Sequence, residues 1–302
     1  ATCHDPLHAF AEPRPVSLGV GGAKGARNAP TVLNAAFLQE QFWDGRAATL
    51  EEQAKGPLVN PVEMAMPDHA AIEKKVQALP EYAPLFESAF GDEKVTIDRI
   101  AQAIASFERT VVSGNSKVDR FLAGDKAALS ESGQRGWALW NGKARCNTCH
   151  ALGEATPNLT DNKFHNIGVA AKNKDFAALA RRAASVTDAA ELAFHPEFSE
   201  LGRFVVTRQP KDIGAFKTPG VRDIALTAPY MHDGSEATLM DVVNFYDRGG
   251  EPNPYLDGGI VPLKLTEQEK QDLVVFMESL TGEGPGSPTR AALQPPGKEG
   301  SR

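Results

Sequence analysis

The chain has 302 residues, 41% of them hydrophobic and 24% charged, with a formal net charge of −7. That length allows two domains of ordinary size, each with its own core, and the composition is that of a soluble globular protein. The acidic balance and the lack of any basic stripe exclude the usual nucleic-acid footprint but leave room for a basic protein partner, and no apolar run is long enough to cross a bilayer.

In chain order, residues 1 to 30 are rich in Gly, Pro and Ala and read as a wrapped loop with no apolar period. Residues 31 to 50 mix apolar positions with QFWDGR. Residues 69 to 89 carry helical periodicity interrupted at Pro80. Residues 95 to 112 predict a strongly amphipathic helix, with Ile97, Ile100, Ile104 and Phe107 recurring at three and four. Residues 122 to 133 read as a linker that ends in a helix start, with Ser130 as N-cap. QRGWALWNGKAR then continues as a helix into CNTCH at 146 to 150. Beyond it the text is loop-rich, with helical patches at DFAALARRAASV, at 235 to 248 with Thr238 near the cap, and at 265 to 282. The last has the capping-box pattern Thr266-x-x-Glu269 and Gly282 as a stop. The Pro/Gly-rich tail reads as irregular.

CNTCH is C-x-x-C-H, the attachment signature of a c-type haem. Cys146 and Cys149 would form thioethers to the porphyrin and His150 would ligate iron. A zinc half-site or a redox pair are the other uses of C-x-x-C. Zinc would need a second ligand pair, for which only Cys3 and His4 are on offer, and a redox pair does not need the adjacent His. ATCH at the start is the same word without its first Cys. All three cysteines fall in these two words, so none is left for a disulfide framework.

NAPTVLN (28 to 34), QFWDGRA (41 to 47), EEQAKGP (51 to 57), NPVEM (60 to 64), CNTCH, KTPGVRDIALTAPYMHDG (217 to 234) and FYDRGG (245 to 250) together resemble, in order and spacing, the bacterial diheme cytochrome c peroxidases and their MauG-type relatives. The resemblance covers most of the chain. It implies a mostly α fold of two cytochrome c-like domains, each with one covalent haem c. The expected division is 1–124, an N-terminal peroxidatic domain, and 125–302, an electron-transfer domain. It makes Cys3 and His4 part of a first haem site whose first Cys precedes Ala1. It implies a distal pocket with Glu63 as proton carrier, Gln53 orienting peroxide and Pro57 lining the site. A carboxylate there suits heterolysis, which moves a proton from one peroxide oxygen to the other. Trp43 is expected between the two haems, and Asn28, Thr227 and Pro229 around a calcium ion, a hard cation that takes oxygen ligands.

Two positions depart from the peroxidase branch. Where that branch has a His that caps the first haem, eight residues before Asn28, this chain has Val20, and His8 stands too near His4 to replace it. Where that branch has a Met fourteen residues after the His of HDG, here His232, this chain has Tyr246, as MauG-type enzymes do. Met231 and Met240 are the alternative sulfur ligands. A hard phenolate favours the higher oxidation states of iron, whereas a thioether favours the ferrous state.

The expectation is therefore a periplasmic diheme oxidoreductase that reacts with hydrogen peroxide, MauG-like in using high-valent haems to oxidise a protein or other donor. The alternatives are an ordinary peroxidase drawing electrons from a small cytochrome c or cupredoxin, a non-catalytic electron-transfer protein, and a redox sensor. The resemblance is compatible with a homodimer. His232 is expected to support the site, and His69, His165 and His195 carry no assigned role.

Overall fold

The computed structural model describes residues 3–153, 157–171 and 174–284. The tail expected to be irregular lies outside them, as do Ala1 and Thr2. The described residues are mostly helical: α1 Leu50–Val59, α2 His69–Gln77, α3 Ala83–Phe90, α4 Ile97–Glu108, α5 Lys117–Leu122, α6 Glu131–Asn141, α7 Phe176–Ala183, α8 Ala189–Phe194, α9 Phe204–Thr207, α10 Leu239–Asp247 and α11 Glu267–Glu278. Two short strands, β1 Phe164–His165 and β2 Phe216–Lys217, pair antiparallel with Phe164 opposite Lys217.

Side-chain caps set the helix starts. Thr49, Thr96, Ser130 and Thr266 each accept a bond from the backbone N–H three residues on, an arrangement worth about 1 kcal/mol per helix. Thr238 and Thr266 form full capping boxes with Asp241 and Glu269. Pro80 separates α2 from α3, because the proline cannot continue a helix. Gly282 is not the stop of α11. The helix closes at Ser279 in right-handed geometry, and the Gly282 N–H donates to Asp223 Oδ1 at 2.8 Å. The stripe expected on α4 is only half-buried at its isoleucines, and Phe107 is 58% exposed. The closest packing falls on Ala101 and Ala105, whose small side chains let α1 approach.

The largest core joins α6, α10 and α11 around Trp140, Val243, Leu273 and Phe276. Val118 of α5 is fully buried in it, so α5 packs with this second core although it precedes the expected boundary at 124/125. A separate cluster gathers α7, α8 and α9 around Phe176, Leu192, Leu201 and Val205. Small clusters around Leu33 with Val111, and Leu50 with Ala105, hold the N-terminal part. Asn34 and Ser113 exchange two hydrogen bonds at 3.0 and 3.1 Å, and Arg222 grips Asp119 with both nitrogens.

α6 and α11 cross at Gly136. A methyl group there would run into the Asp272 carbonyl and the Phe276 side chain. Asp272 takes both Arg135 nitrogens, at 2.7 and 2.8 Å, which sets the rotation of the pair. This crossing orients Trp140, which stands before the CNTCH word. On an exposed helix position a Gly→Ala change would stabilise by about 1 kcal/mol. Gly136→Ala is expected instead to lower unfolding free energy by about 1–3 kcal/mol through overpacking. Urea denaturation of parent and variant reads the sign directly.

Candidate functional site

Behind α6 the chain turns at Arg145 in the left-handed region and enters a single 3-10 turn, Cys146–Thr148. That turn presents Cys146, Cys149 and His150 to a cavity of about 440 Å³, lined mainly by apolar groups, that Tyr246 and Met231 also line. The volume is within the usual range for cofactor sites. His150 packs its ring 5.9 Å from Trp140, and its Nδ1 pairs with the Leu159 carbonyl at 2.8 Å. Burial lowers the affinity of this imidazole for a proton. A neutral ring whose Nδ1 is committed to a carbonyl offers Nε2 as a metal ligand. Burial pushes the Cys146 thiol up to about 12, the opposite of what a redox or zinc-binding thiolate requires. Two thiols three residues apart, an oriented imidazole and an apolar cavity fit a covalently attached haem.

Tyr246 sits on the last turn of α10, and burial, then the neighbouring cysteines, push its phenol above the ordinary tyrosine range. Met240 is not among the lining residues. The structure also brings Asp161 and His165 to Cys149, with ligand atoms within 4.8 Å of one another, a neighbourhood the sequence did not signal. His165 is satisfied there, its Nδ1 on Asp257 at 2.6 Å and its Nε2 on Asp161 at 3.0 Å. His69 faces the Lys55 carbonyl and His195 accepts from the Glu197 N–H.

The N-terminal site repeats one device. His4 turns its Nδ1 to the Phe10 carbonyl at 3.3 Å, and burial again lowers its proton affinity. His8 instead pairs with Asp5 on the exposed surface. Gln53 and Pro57 lie four apart on α1 and so share a face. Pro57, lacking an N–H, cannot donate to the Gln53 carbonyl. The chain then folds back through a turn in which the Glu63 N–H donates to Asn60 and the Met64 N–H to Pro57. The Gly19–Gly22 loop lies on this turn. Its Val20 N–H donates to the Glu63 carbonyl at 2.8 Å, and a side chain at Gly19 would collide with the Val62 and Glu63 backbone. Val20 itself is 54% exposed. Glu63 Oε2 is buried and, among the described residues, accepts no hydrogen bond, and the amide nitrogen of nearby Asn60 donates none there. Burial raises the Glu63 carboxyl above the ordinary range, and Arg46 offsets part of that.

The two parts meet at Asp44, which is fully buried. Arg27 donates to it at 2.6 Å and Arg46 at 2.9 Å. Burial opposes the charge of Asp44, but these two guanidinium groups outweigh it and hold its carboxyl below the ordinary range. Arg27 also donates to the Ser199 carbonyl, and Arg203 donates to the Asp44 and Gly45 carbonyls at 3.0 and 2.8 Å. Arg46 lies between the rings of Phe42, at 3.5 Å, and Phe194, at 4.8 Å. Next to Asp44, the Trp43 indole N–H donates to the Asn28 carbonyl at 2.9 Å, and its ring stands edge-on to His232 at 6.4 Å. His232 is buried, stacks on Phe216 at 3.7 Å and pairs with Glu200 at 2.9 Å, a supporting rather than open position. Trp43, Asn28, Thr227 and Pro229 all line the cavity that holds Cys146 and His150. The Asn28 amide nitrogen is spent on the Arg14 carbonyl, which leaves the carboxamide oxygen as its candidate cation ligand.

Sequence reasoning named Trp43 but missed Asp44, Arg46, Arg27, Glu200 and Lys217. Asp44 and Arg46 were in view within FWDGRA. Nothing local marks them as buried, because Arg27 and Arg203, which close on Asp44, and Phe194, which covers Arg46, are distant in sequence.

A family model described as di-haem cytochrome c peroxidase matches residues 1–127. The cytochrome-c peroxidase IdrP1 of Pseudomonas sp. (strain SCT) is 38% identical over 93% of this chain and 74% of its own length. The methylamine utilization protein MauG of Methylophilus methylotrophus is 38% identical over 93% of this chain and 76% of its own. Among solved structures, a MauG-like protein associated with microbial copper homeostasis superposes with a TM-score of 0.77 at 34% identity, covering 93% of this chain and 83% of that one.

Asp44→Ala is expected to cost about 3–5 kcal/mol, since it leaves two buried guanidinium groups without their carboxylate. Chemical denaturation followed by tryptophan fluorescence measures it, and a cost below about 1 kcal/mol would mean that Asp44 does not hold the two parts together.

Proposed function

The chain belongs to the di-haem cytochrome c peroxidase family, whose members are oxidoreductases, and we propose that it is a MauG-like periplasmic enzyme that reacts with hydrogen peroxide and oxidises a protein or other donor. The observation that carries this reading is the half-buried Tyr246 side chain, which lines the same cavity as Cys146, Cys149 and His150. In this reading Cys146, Cys149 and His150 would hold one haem c, Tyr246 would offer its phenol to the same iron, and Cys3 and His4 would belong to the site of the other. Haem c, when bound, supplies an iron that takes up peroxide oxygen and exchanges electrons with a donor.

The chain's own residues supply the rest. Glu63 presents a shielded carboxylate oxygen with an unfilled hydrogen-bonding position, and it moves a proton from one peroxide oxygen to the other. With two protons and two electrons from the donor, hydrogen peroxide leaves as two waters. Gln53 and Pro57 shape the same pocket from α1, Gln53 by orienting the peroxide. Burial raises the proton affinity of Glu63, and Arg46 offsets part of that rise. Trp43 bridges the two parts through Asn28 and His232 and is the route for electron exchange. Asn28, Thr227 and Pro229 hold a calcium ion, with the Asn28 carboxamide oxygen as one ligand.

A second reading, the ordinary peroxidase fed by a small cytochrome c or cupredoxin, is favoured by Met231, which lines the same cavity with a thioether. The two readings differ at one bond. In the first, Tyr246→Phe changes the axial signature of the second haem in electron paramagnetic resonance and magnetic circular dichroism, and Met231→Leu does not. The reverse pattern, with rapid steady-state turnover on reduced cytochrome c, would make the second reading correct.

Two further outcomes follow. The oxidised protein should react with peroxide without prior reduction, because Val20 offers iron no ligand; a stopped-flow lag that only a reductant removes would count against this. Glu63→Gln should slow that reaction about 10²-fold or more with haem content unchanged. Because the base form of Glu63 is the active one, the parental rate should rise with pH through the raised value of its carboxyl, and the variant should lack that limb.

A further inference from the structure

One buried cation remains without a use. Lys217 is 6% exposed, and it lines the cavity that holds Cys146, Cys149, His150 and Tyr246. Its backbone is fixed there, since its N–H donates to the Trp43 carbonyl at 2.8 Å and β2 pairs it with Phe164. Among the described residues its ammonium forms no ion pair. The nearest carboxylates, Glu40 and Asp44, act on it only through space, and both are already committed, Glu40 to Arg203 and Asp44 to Arg27 and Arg46. Glu40 and Asp44 are thus taken by three guanidinium groups before Lys217. An unpaired buried ammonium is costly unless an anion meets it. Burial draws Lys217 down to about 8, and Glu40 and Asp44 offset only part of that.

The cofactor supplies the missing charge. A haem c carries two propionate carboxylates, and neither the thioethers nor the iron ligands use them. We propose that the Lys217 ammonium binds a propionate of the haem held by Cys146, Cys149 and His150, and so fixes the edge of that haem beside Trp43. The inference rests on the diheme reading above. A salt bridge of this kind also sets the electronics, because a cation at the porphyrin edge stabilises the reduced, more negative state.

The test uses the haem-loaded protein and reads spectra and potentials rather than activity. Lys217→Met should shift the propionate bending mode in resonance Raman and lower the midpoint potential of the second haem in spectroelectrochemistry. The first haem should keep its potential, and Lys217→Arg should restore both readouts. Lys217→Gln replaces the Met variant if the latter does not fold. An unmoved bending mode overturns the contact, whether or not the potential moves. A potential change confined to the first haem also overturns it. Pyridine haemochromogen analysis and intact mass count the haems independently. A chain that carries no haem on Cys146 and Cys149 overturns the diheme reading together with this one, whereas two haems with an unmoved mode overturn this one alone.

Discussion

A buried carboxylate with two guanidinium partners organises this molecule. Asp44 has no solvent access, and its charge persists only because Arg27 and Arg46 reach it from two directions. Burying three charges is expensive, and their attraction offsets that cost only with good geometry and further hydrogen bonds. Both conditions are met: Arg27 extends to the Ser199 carbonyl, and Arg203 closes on the Asp44 and Gly45 carbonyls. The loop that carries Trp43 is thereby locked against residues 199 to 203, which are distant in sequence.

The same node reaches the acid–base group. Arg46 is fixed by Asp44 on one side and by the Phe42 and Phe194 rings on the other, so its charge cannot swing toward Glu63 and neutralise it. Glu63 feels an attenuated cation and a strong desolvation. A carboxylate poised in that way keeps its proton affinity closer to neutral than a solvated one would, as proton transfer demands. A direct Arg46–Glu63 pair would have bound tightly and made a poorer base.

The two histidine words use one orienting device. In each, Nδ1 is turned to a backbone carbonyl a short distance along the chain, Phe10 after His4 and Leu159 after His150. Using the backbone makes the orientation independent of side-chain substitutions, and burial keeps both rings neutral. Their surroundings differ. His150 stands on a large apolar core with Trp140, and His4 on small clusters and ion pairs.

Local signals in the sequence determined a good deal. The caps Ser130, Thr238 and Thr266 lie where their helices begin, and CNTCH marks its own turn, because capping and attachment depend on neighbours within five residues. Family segments pointed to Trp43, Glu63 and Tyr246. Helix α1 escaped notice because Gly56 and Pro57 dilute its pattern, and α4 misled because its apolar stripe is not where the packing is closest. Asp44, Lys217, Glu200 and the Asp161–His165–Asp257 cluster were decided by tertiary structure alone. Each is an ordinary polar residue in sequence, and each takes its meaning from a partner brought near by folding or from the absence of one. Burial and pairing of charge are properties of the assembled chain, so a string of residues cannot carry them.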